Sequence, residues 1–406
     1  MNIAFVTSGY LPVPAVIGGA VESLVDYLIK MNEKYHKANF TVYSMYDERA
    51  EREASKQHNC RYKFIKTPDF IKAGDKAIYQ IVKTFFKSKN AKQYRYILQR
   101  LWFFKKVSAD LAVSNYDKLI LENHPTIFMV LKKHGNAQRY LGKCYYHLHN
   151  EITNDFGCKE LMGQVHKIIT VSNFISQSIS TYLGGLPRKK TVVLRNCVDE
   201  KRFGSAAAQK DGKIWREKFG IKSNEIVFLF CGRVTPEKGA KELMTAFCKA
   251  DVPNTKLIVA GGYFYGSGVK SAYEQKLCYI AESSGNKIVL TGFIPYNDVP
   301  GVYAAADVVC IPSVWDDPAP LAVIEPLACG LPLITTLSGG IPEYANDKCA
   351  LLLPRDGKIV DNLAKGIQYL AENPEARERM GKESLRAAEK LTLDNYYRNF
   401  MNILSE

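Results

Sequence analysis

Two loops in the second half of the chain carry the residue types best suited to gripping an anion and a set of hydroxyl groups. The first follows the apolar run Ile226–Cys231 and reads Gly232-Arg233-Val234-Thr235-Pro236-Glu237-Lys238-Gly239. Arginine offers planar two-point hydrogen bonding and lysine a compact charge, so the pair reads as a diphosphate clamp. The second follows Val308–Ile311 and runs from Pro312 through Asp317-Pro318-Ala319-Pro320-Leu321-Ala322 to Glu325. Asp317 is a natural N-cap and proline suits a first helical turn, which predicts a helix from about Pro318. The free N–H groups of that helix would favour an anion. Glu325 would then lie roughly two turns beyond Asp317 on a similar face, giving two carboxylates that could each bind a pair of hydroxyls.

The first half offers a weaker version of the same chemistry. The run Ile3–Thr7 is followed by Gly9 and by Gly18-Gly19-Ala20 ahead of a helical pattern. Glycines between a strand and a helix let a phosphate approach main-chain N–H groups, although the spacing is not G-x-G-x-x-G. In Tyr146-His147-Leu148-His149-Asn150-Glu151 the two histidines share a strand face. His147 reads as a packed core residue. His149, nearer the carboxyl end, reads as a site residue, because ligands bind at that end of α/β sheets. His124 also ends a strand and is a weaker candidate. There is no Asp-x-Asp and no other evident hard-cation cage, so no metal is expected.

These residues need a scaffold, and the hydrophobic pattern supplies it twice. Short apolar runs fall at Ile3–Thr7, Phe40–Ser44, Leu119–Glu122, Lys143–Leu148, Ile168–Val171 and Val192–Leu194. A second set falls at Ile226–Cys231, Lys256–Ala260, Ile288–Thr291, Val308–Ile311, Leu333–Thr335 and Ala350–Leu353. Such runs separated by helical stretches imply parallel strands covered on both faces, hence two Rossmann-like, doubly wound α/β domains. The expected division is 1–199 and 200–390, with Ser205–Gly212 weakly structured. A final helix over 391–406, striped with Tyr396, Tyr397, Phe400, Met401 and Leu404, must dock on an apolar surface.

One stretch departs from the alternation. Between Arg61 and Lys106, thirteen basic residues face only Asp69 and Asp75, with Phe85, Phe86, Trp102, Phe103, Phe104 and several tyrosines interleaved. That mixture suits an interfacial helix on an anionic membrane surface, or equally a pair of helices with one packed and one solvated face. The net charge of +14 over 406 residues points to an anionic partner without naming it. No apolar run approaches the length of a membrane span, no signal peptide is evident, and the ten scattered cysteines suit reduced thiols, so a cytoplasmic location is expected.

Taken together, Gly232-Arg233…Lys238-Gly239, Asp317…Glu325 and Gly330-Leu331-Pro332 resemble the retaining glycosyltransferases of family 4, which have the GT-B fold. Ile169–Asn173, Asn196–Asp199, Thr291-Gly292-Phe293 and Ser338–Glu343 fall in the family's order. The resemblance implies a cleft between the two domains and a nucleotide diphosphate sugar, by default a UDP-sugar, as donor substrate. By it, Arg233 and Lys238 would neutralise the diphosphate, Glu325 would hold the ribose, and the loop through Ile294 would face the base. Asp317 would contact the transferred sugar, with Ala319, Leu321 and Ala322 near the phosphates. Gly18, Gly19 and His149 would border the reacting centre, making His149, Asp317 and Lys238 the catalytic candidates. The family's usual glutamate is here Asp317, and Pro320 replaces part of a glycine-rich stretch. The acceptor would be a glycan or lipid-linked molecule in surface polysaccharide or glycolipid assembly, at the inner face of the membrane. A catalytically degenerate binding protein and a nucleotide-sugar epimerase share this architecture. A nucleic-acid binder would need a base-reading motif, and none is visible.

Overall fold

The computed structural model describes residues 1–85, 96–262 and 271–406. The chain forms two compact units, Met1–Leu194 with Tyr397–Glu406, and Arg195–Tyr396. The sequence divisions expected at 199/200 and 390/391 lie a few residues from these.

The first unit alternates β1 (Asn2–Val6), α1 (Ala20–Tyr35), β2 (Asn39–Met45), α2 (Glu48–Ala54), β3 (Cys60–Ile65), α3 (Asp69–Phe85) and α4 (Ile97–Val113). It continues through β4 (Lys118–Glu122), α5 (Asn136–Tyr140), β5 (Cys144–Leu148), α6 (Lys159–Gln164), β6 (Lys167–Thr170), α7 (Asn173–Leu183) and β7 (Thr191–Val193). The seven strands are parallel in the order β3-β2-β1-β4-β5-β6-β7. The strand order reverses between β1 and β4, the place where doubly wound sheets open a crevice beyond their carboxyl ends. Side chains of β1, β4 and β5 are buried on both faces, which is why these segments read as unbroken apolar runs.

The second unit contains α8 (Ala206–Lys218), β8 (Ile226–Cys231), α9 (Ala240–Ala250), β9 (Thr255–Ala260), α10 (Ala272–Ser283), β10 (Ile288–Gly292) and α11 (Val299–Ala304). Then come β11 (Val308–Ile311), α12 (Leu321–Ala328), β12 (Leu333–Thr336), β13 (Ala350–Leu353), α13 (Ile359–Glu372) and α14 (Pro374–Ala388); the last helix, α15 (Leu393–Ser405), belongs to the first unit from Tyr397 onward. Six parallel strands run β10-β9-β8-β11-β12-β13, so the reversal falls between β8 and β11. One core face joins Phe228 and Phe230 of β8 to Leu243 and Phe247 of α9 and Ile367 and Leu370 of α13. The last ten residues pack in the first unit. There Phe400 stacks on Phe5 with ring centroids 5.8 Å apart, and Tyr397 Oη donates to Asn32 Oδ1 at 2.7 Å.

Two sequence expectations are corrected. Residues Ser205–Gly212 are not a weakly structured linker: the Ser205 hydroxyl caps α8 by accepting from Ala208 N, and the alanines that follow are strong helix formers. The basic stretch is not purely helical, since it begins with the edge strand β3. Arg61 is exposed and Lys63 half-buried there, which breaks the apolar pattern of the strand. Part of the stretch is interior. Phe103 and Phe104 are buried, and Arg100, only 8% exposed, donates to Ser8 O, Tyr10 Oη and Thr126 Oγ1. Phe86, Lys87, Lys89, Lys92, Tyr94 and Arg95 lie outside the described residues.

Candidate active site

In the second unit, the loops leaving β8 and β11 flank the point where the strand order reverses. They carry Arg233 and Lys238 on one side and Asp317 on the other. They also touch. Gly239 has φ 73° and caps α9, and a Cβ there would overlap the carbonyl oxygen of Pro312. Only glycine serves both demands. Lys238 Nζ forms an ion pair with Asp317 Oδ2, which also accepts from Ser313 Oγ at 3.2 Å. Asp317 is buried and the Lys238 side chain is 16% exposed. Lys238 Nζ stands 5.4 Å from the centre of the Trp315 ring. Two buried polar atoms on these loops, Thr235 Oγ1 and Trp315 Nε1, have no hydrogen-bond partner among the described residues. Arg233 is exposed.

Asp317 does not cap a helix. Residues preceding proline are driven into extended conformations, which applies to Asp317 before Pro318 and to Ala319 before Pro320. The helix α12 therefore waits until Leu321, with Pro320 at its N-cap position at ψ 128°. Its first N–H groups belong to the half-buried residues Leu321 and Ala322, while the Ala319 carbonyl is already held by Asn196 Nδ2 at 2.9 Å. With the later start, Asp317 lies outside α12 and shares no helix face with Glu325. Asp317 lies on the loop that follows β11 and Glu325 on the helix after it.

Glu325 is buried on α12, and both carboxylate oxygens are engaged. Tyr296 Oη donates to Oε1 at 2.9 Å, and Tyr303 Oη donates to Oε2 at 3.0 Å. Burial raises the Glu325 pKa, and the two tyrosines and the Arg202 charge partly oppose this. Ile294, half-buried, lies on the loop between β10 and Tyr296.

In the first unit, Gly18 and Gly19 hold φ 90° and 114° in the loop before α1. The Glu22 carboxylate fills the space a Cβ on Gly19 would take. Burial, foremost, raises Glu22 to about 7, against the pull of its own backbone N–H. Asp26, which accepts from Ala15 N at 2.6 Å, is likewise raised by burial to about 7. At the ends of β4 and β5, Glu122 meets both histidines. His147 Nδ1 lies 3.3 Å from Oε1, and His149 Nε2 lies 3.2 Å from Oε2. All three are buried. Burial alone would raise the Glu122 carboxyl, but the charge and hydrogen bond of His147, with the hydrogen bond of His149, hold it at about 2. His149 is pushed down to about 4 by burial and by His147, so it is neutral at physiological pH. This trio is the group of described residues whose donor atoms, within 4.8 Å of one another, could hold a metal ion, a cluster the sequence did not suggest. His124 serves its own loop: its Nδ1 accepts from Thr126 N at the start of a 3-10 turn.

Residues 211–386, which contain Arg233, Lys238, Asp317 and Glu325, match the family model described as glycosyl transferases group 1. That part of the chain belongs to this family. Along nearly its whole length it is similar to YtcC of Bacillus subtilis (strain 168), whose name makes it a candidate glycosyltransferase. Identity there is 26% over 405 residues, covering 96% of this chain and 88% of the relative. It is 28% identical over 237 residues to a GDP-mannose-dependent phosphatidylinositol monomannoside mannosyltransferase of Corynebacterium glutamicum, covering 55% and 59% of the two chains. The fold matches that of Anabaena Alr3699/HepE, crystallised with UDP, with a TM-score of 0.72, 19% identity and full coverage of both chains. The molecule is thus a glycosyltransferase of the GT-B fold.

The glycosyltransferase holds residues at these positions that motif reading passed over. Glu122 could have been found as a carboxylate ending an apolar strand beside a histidine strand. Tyr296 and Tyr303 could not, because only the packing around α12 turns two ordinary tyrosines toward Glu325. Glu22 carries no sequence signal beyond its place in the first turn of α1.

Proposed function

We propose that this glycosyltransferase transfers a hexose-type sugar from a UDP-sugar to a glycan or lipid-linked acceptor, with retention of anomeric configuration. The supporting observation is the meeting of Lys238 and Asp317 on the two loops at the strand-order reversal of the second unit. A departing nucleoside diphosphate needs its developing charge stabilised, and a fixed cation beside a helix N-terminus supplies that without reorganisation. In this reading Lys238 exchanges Asp317 for the diphosphate when donor binds, and Arg233 adds a second cation from the same loop. The N–H groups of Leu321 and Ala322, beside Ala319, meet the phosphates. Asp317, released, accepts hydroxyls of the transferred sugar. Glu325 accepts the ribose hydroxyls, held in line by Tyr296 and Tyr303, and the loop at Ile294 faces the base. On the first unit, Gly18, Gly19 and His149 take part in sugar binding. No divalent ion is required for turnover.

The acceptor would belong to surface polysaccharide or glycolipid assembly, at the cytoplasmic face of a membrane. Exposed Phe70, Ile81 and Leu101 lie on α3 and α4 with exposed Lys72, Lys76, Lys105 and Lys106, a pairing that favours an anionic lipid surface. No described helix is long and apolar enough to cross a membrane. A thermal-shift panel of nucleotide sugars tests the donor directly. UDP-sugars are expected to raise the melting temperature most, and a panel in which none does so would reject the reading.

A further inference from the structure

We infer that Glu122 is a positioning residue that locks His149 in one tautomer, with Nε2 protonated and Nδ1 presented as a bare hydrogen-bond acceptor. The inference rests on the proposed function only for what that acceptor meets, namely a sugar hydroxyl.

Strand register brings the two residues together. Glu122 and His147 are paired residues on adjacent parallel strands, so β4 ends where β5 brings His147 and then His149 to its own end. The next residue, Asn123, adopts φ 65° and grips the same partner strand. Asn123 N donates to His147 O at 2.7 Å, and Asn123 Oδ1 accepts from His149 N at 3.1 Å. The main chain of His149 is therefore clamped by the residue that follows the one holding its ring. The rings of His147 and His149 lie 4.1 Å apart, which leaves little room for either to flip. A buried carboxylate can only accept, so each ring nitrogen facing Glu122 must carry its proton. For His149 that nitrogen is Nε2, and Nδ1 of the neutral ring keeps its lone pair.

A metal ion would compete for the same donors. The trio lacks what metal-bound histidines usually have, a partner for the distal nitrogen: His147 Nε2 is buried with no partner among the described residues. A carboxylate fixing a histidine tautomer is a recurrent device, and loss of the correct tautomer is costly even when geometry survives. A further charged group nearby is Glu22 of α1, which feels the charge of Glu122.

The test uses full-length protein labelled with nitrogen-15 at its seven histidines, with a His149→Gln variant to assign the resonance. The wild type is expected to show His149 protonated at Nε2 and bare at Nδ1 from pH ~7 to ~8, where neutral imidazole prevails. Glu122→Gln should lose that single tautomer while Glu122→Asp keeps it. A wild type showing protonated Nδ1, or a mixture unchanged by Glu122→Gln, would overturn the inference. So would stoichiometric zinc in the purified protein, or loss of the free Nε2–H signal on adding zinc after chelation. UDP release from UDP-glucose supplies the second readout. Glu122→Gln should lower kcat by about tenfold to a hundredfold with KM for the nucleotide sugar nearly unchanged, and Glu122→Asp should recover much of it. Equal kcat in wild type and Glu122→Gln, in an enzyme that turns over, would also overturn it. If the wild type turns over no nucleotide sugar, the functional reading fails while the tautomer result stands.

Discussion

Replacing Lys238 by methionine separates the two duties assigned to this residue. Its ammonium neutralises Asp317, a carboxylate only 3% exposed whose other partner is the Ser313 hydroxyl. Breaking a buried pair from one side typically costs about 3–5 kcal/mol, because the surviving charge is stranded. Since the Lys238 side chain keeps 16% exposure, the low end applies, about 3 kcal/mol. The double variant Lys238→Met/Asp317→Asn removes both charges and should lie within about 1 kcal/mol of the parent, as buried pairs are often near-neutral against uncharged replacements. Trp215 and Trp315 belong to the second unit and Trp102 to the first, so urea unfolding of a Trp102→Phe background followed by fluorescence reports the second unit. UDP affinity should be lower in both variants by at least about tenfold, because neither retains the cation. A double variant no more stable than the single one, or one that binds UDP as the parent does, would refute the reasoning.

Further outcomes follow from the same geometry. Glu22 is raised in the folded state from 4.5 to about 7, so between those values the native protein binds more protons than the unfolded chain and stability falls as pH rises. Relative to wild type, Glu22→Gln should therefore gain nothing near pH ~4 and about 3 kcal/mol near pH ~8, read by chemical denaturation at both pH values. Gly239→Ala forces a left-handed φ on a β-carbon and drives it into the Pro312 carbonyl. It should cost more than about 2 kcal/mol and weaken UDP binding in a calorimetric titration. Tyr303→Phe removes one of two donors to Glu325 and pushes its pKa further up. UDP binding should then be lost at a higher pH than in wild type as the solution is acidified, with about 1.5–3 kcal/mol lost from stability.

The two sheets were readable because strands buried on both faces leave near-continuous apolar runs, and Ile226–Cys231 was placed residue for residue. Strand β3 escaped because an edge strand carries exposed basic side chains that interrupt the pattern. At the site, the glycine-flanked loop with Arg233 and Lys238 announced itself, since its residue types are rare together. The state of Lys238 did not, because an ion pair between residues on separate loops is a product of the strand order. The later start of α12 was written in two prolines, each disfavouring a helical residue before it. The Glu122–His149 pairing needed the β4–β5 register, which neither strand encodes alone.

A nucleoside diphosphate seated on the loops leaving β8 and β11 would shield their main-chain amides from exchange. Amide hydrogen exchange on the full-length protein, with and without saturating UDP, measures this directly. Slower exchange concentrated in residues 232–239 and 312–325 is the predicted result. Protection confined to other segments, with these two unchanged while UDP is bound, would contradict it.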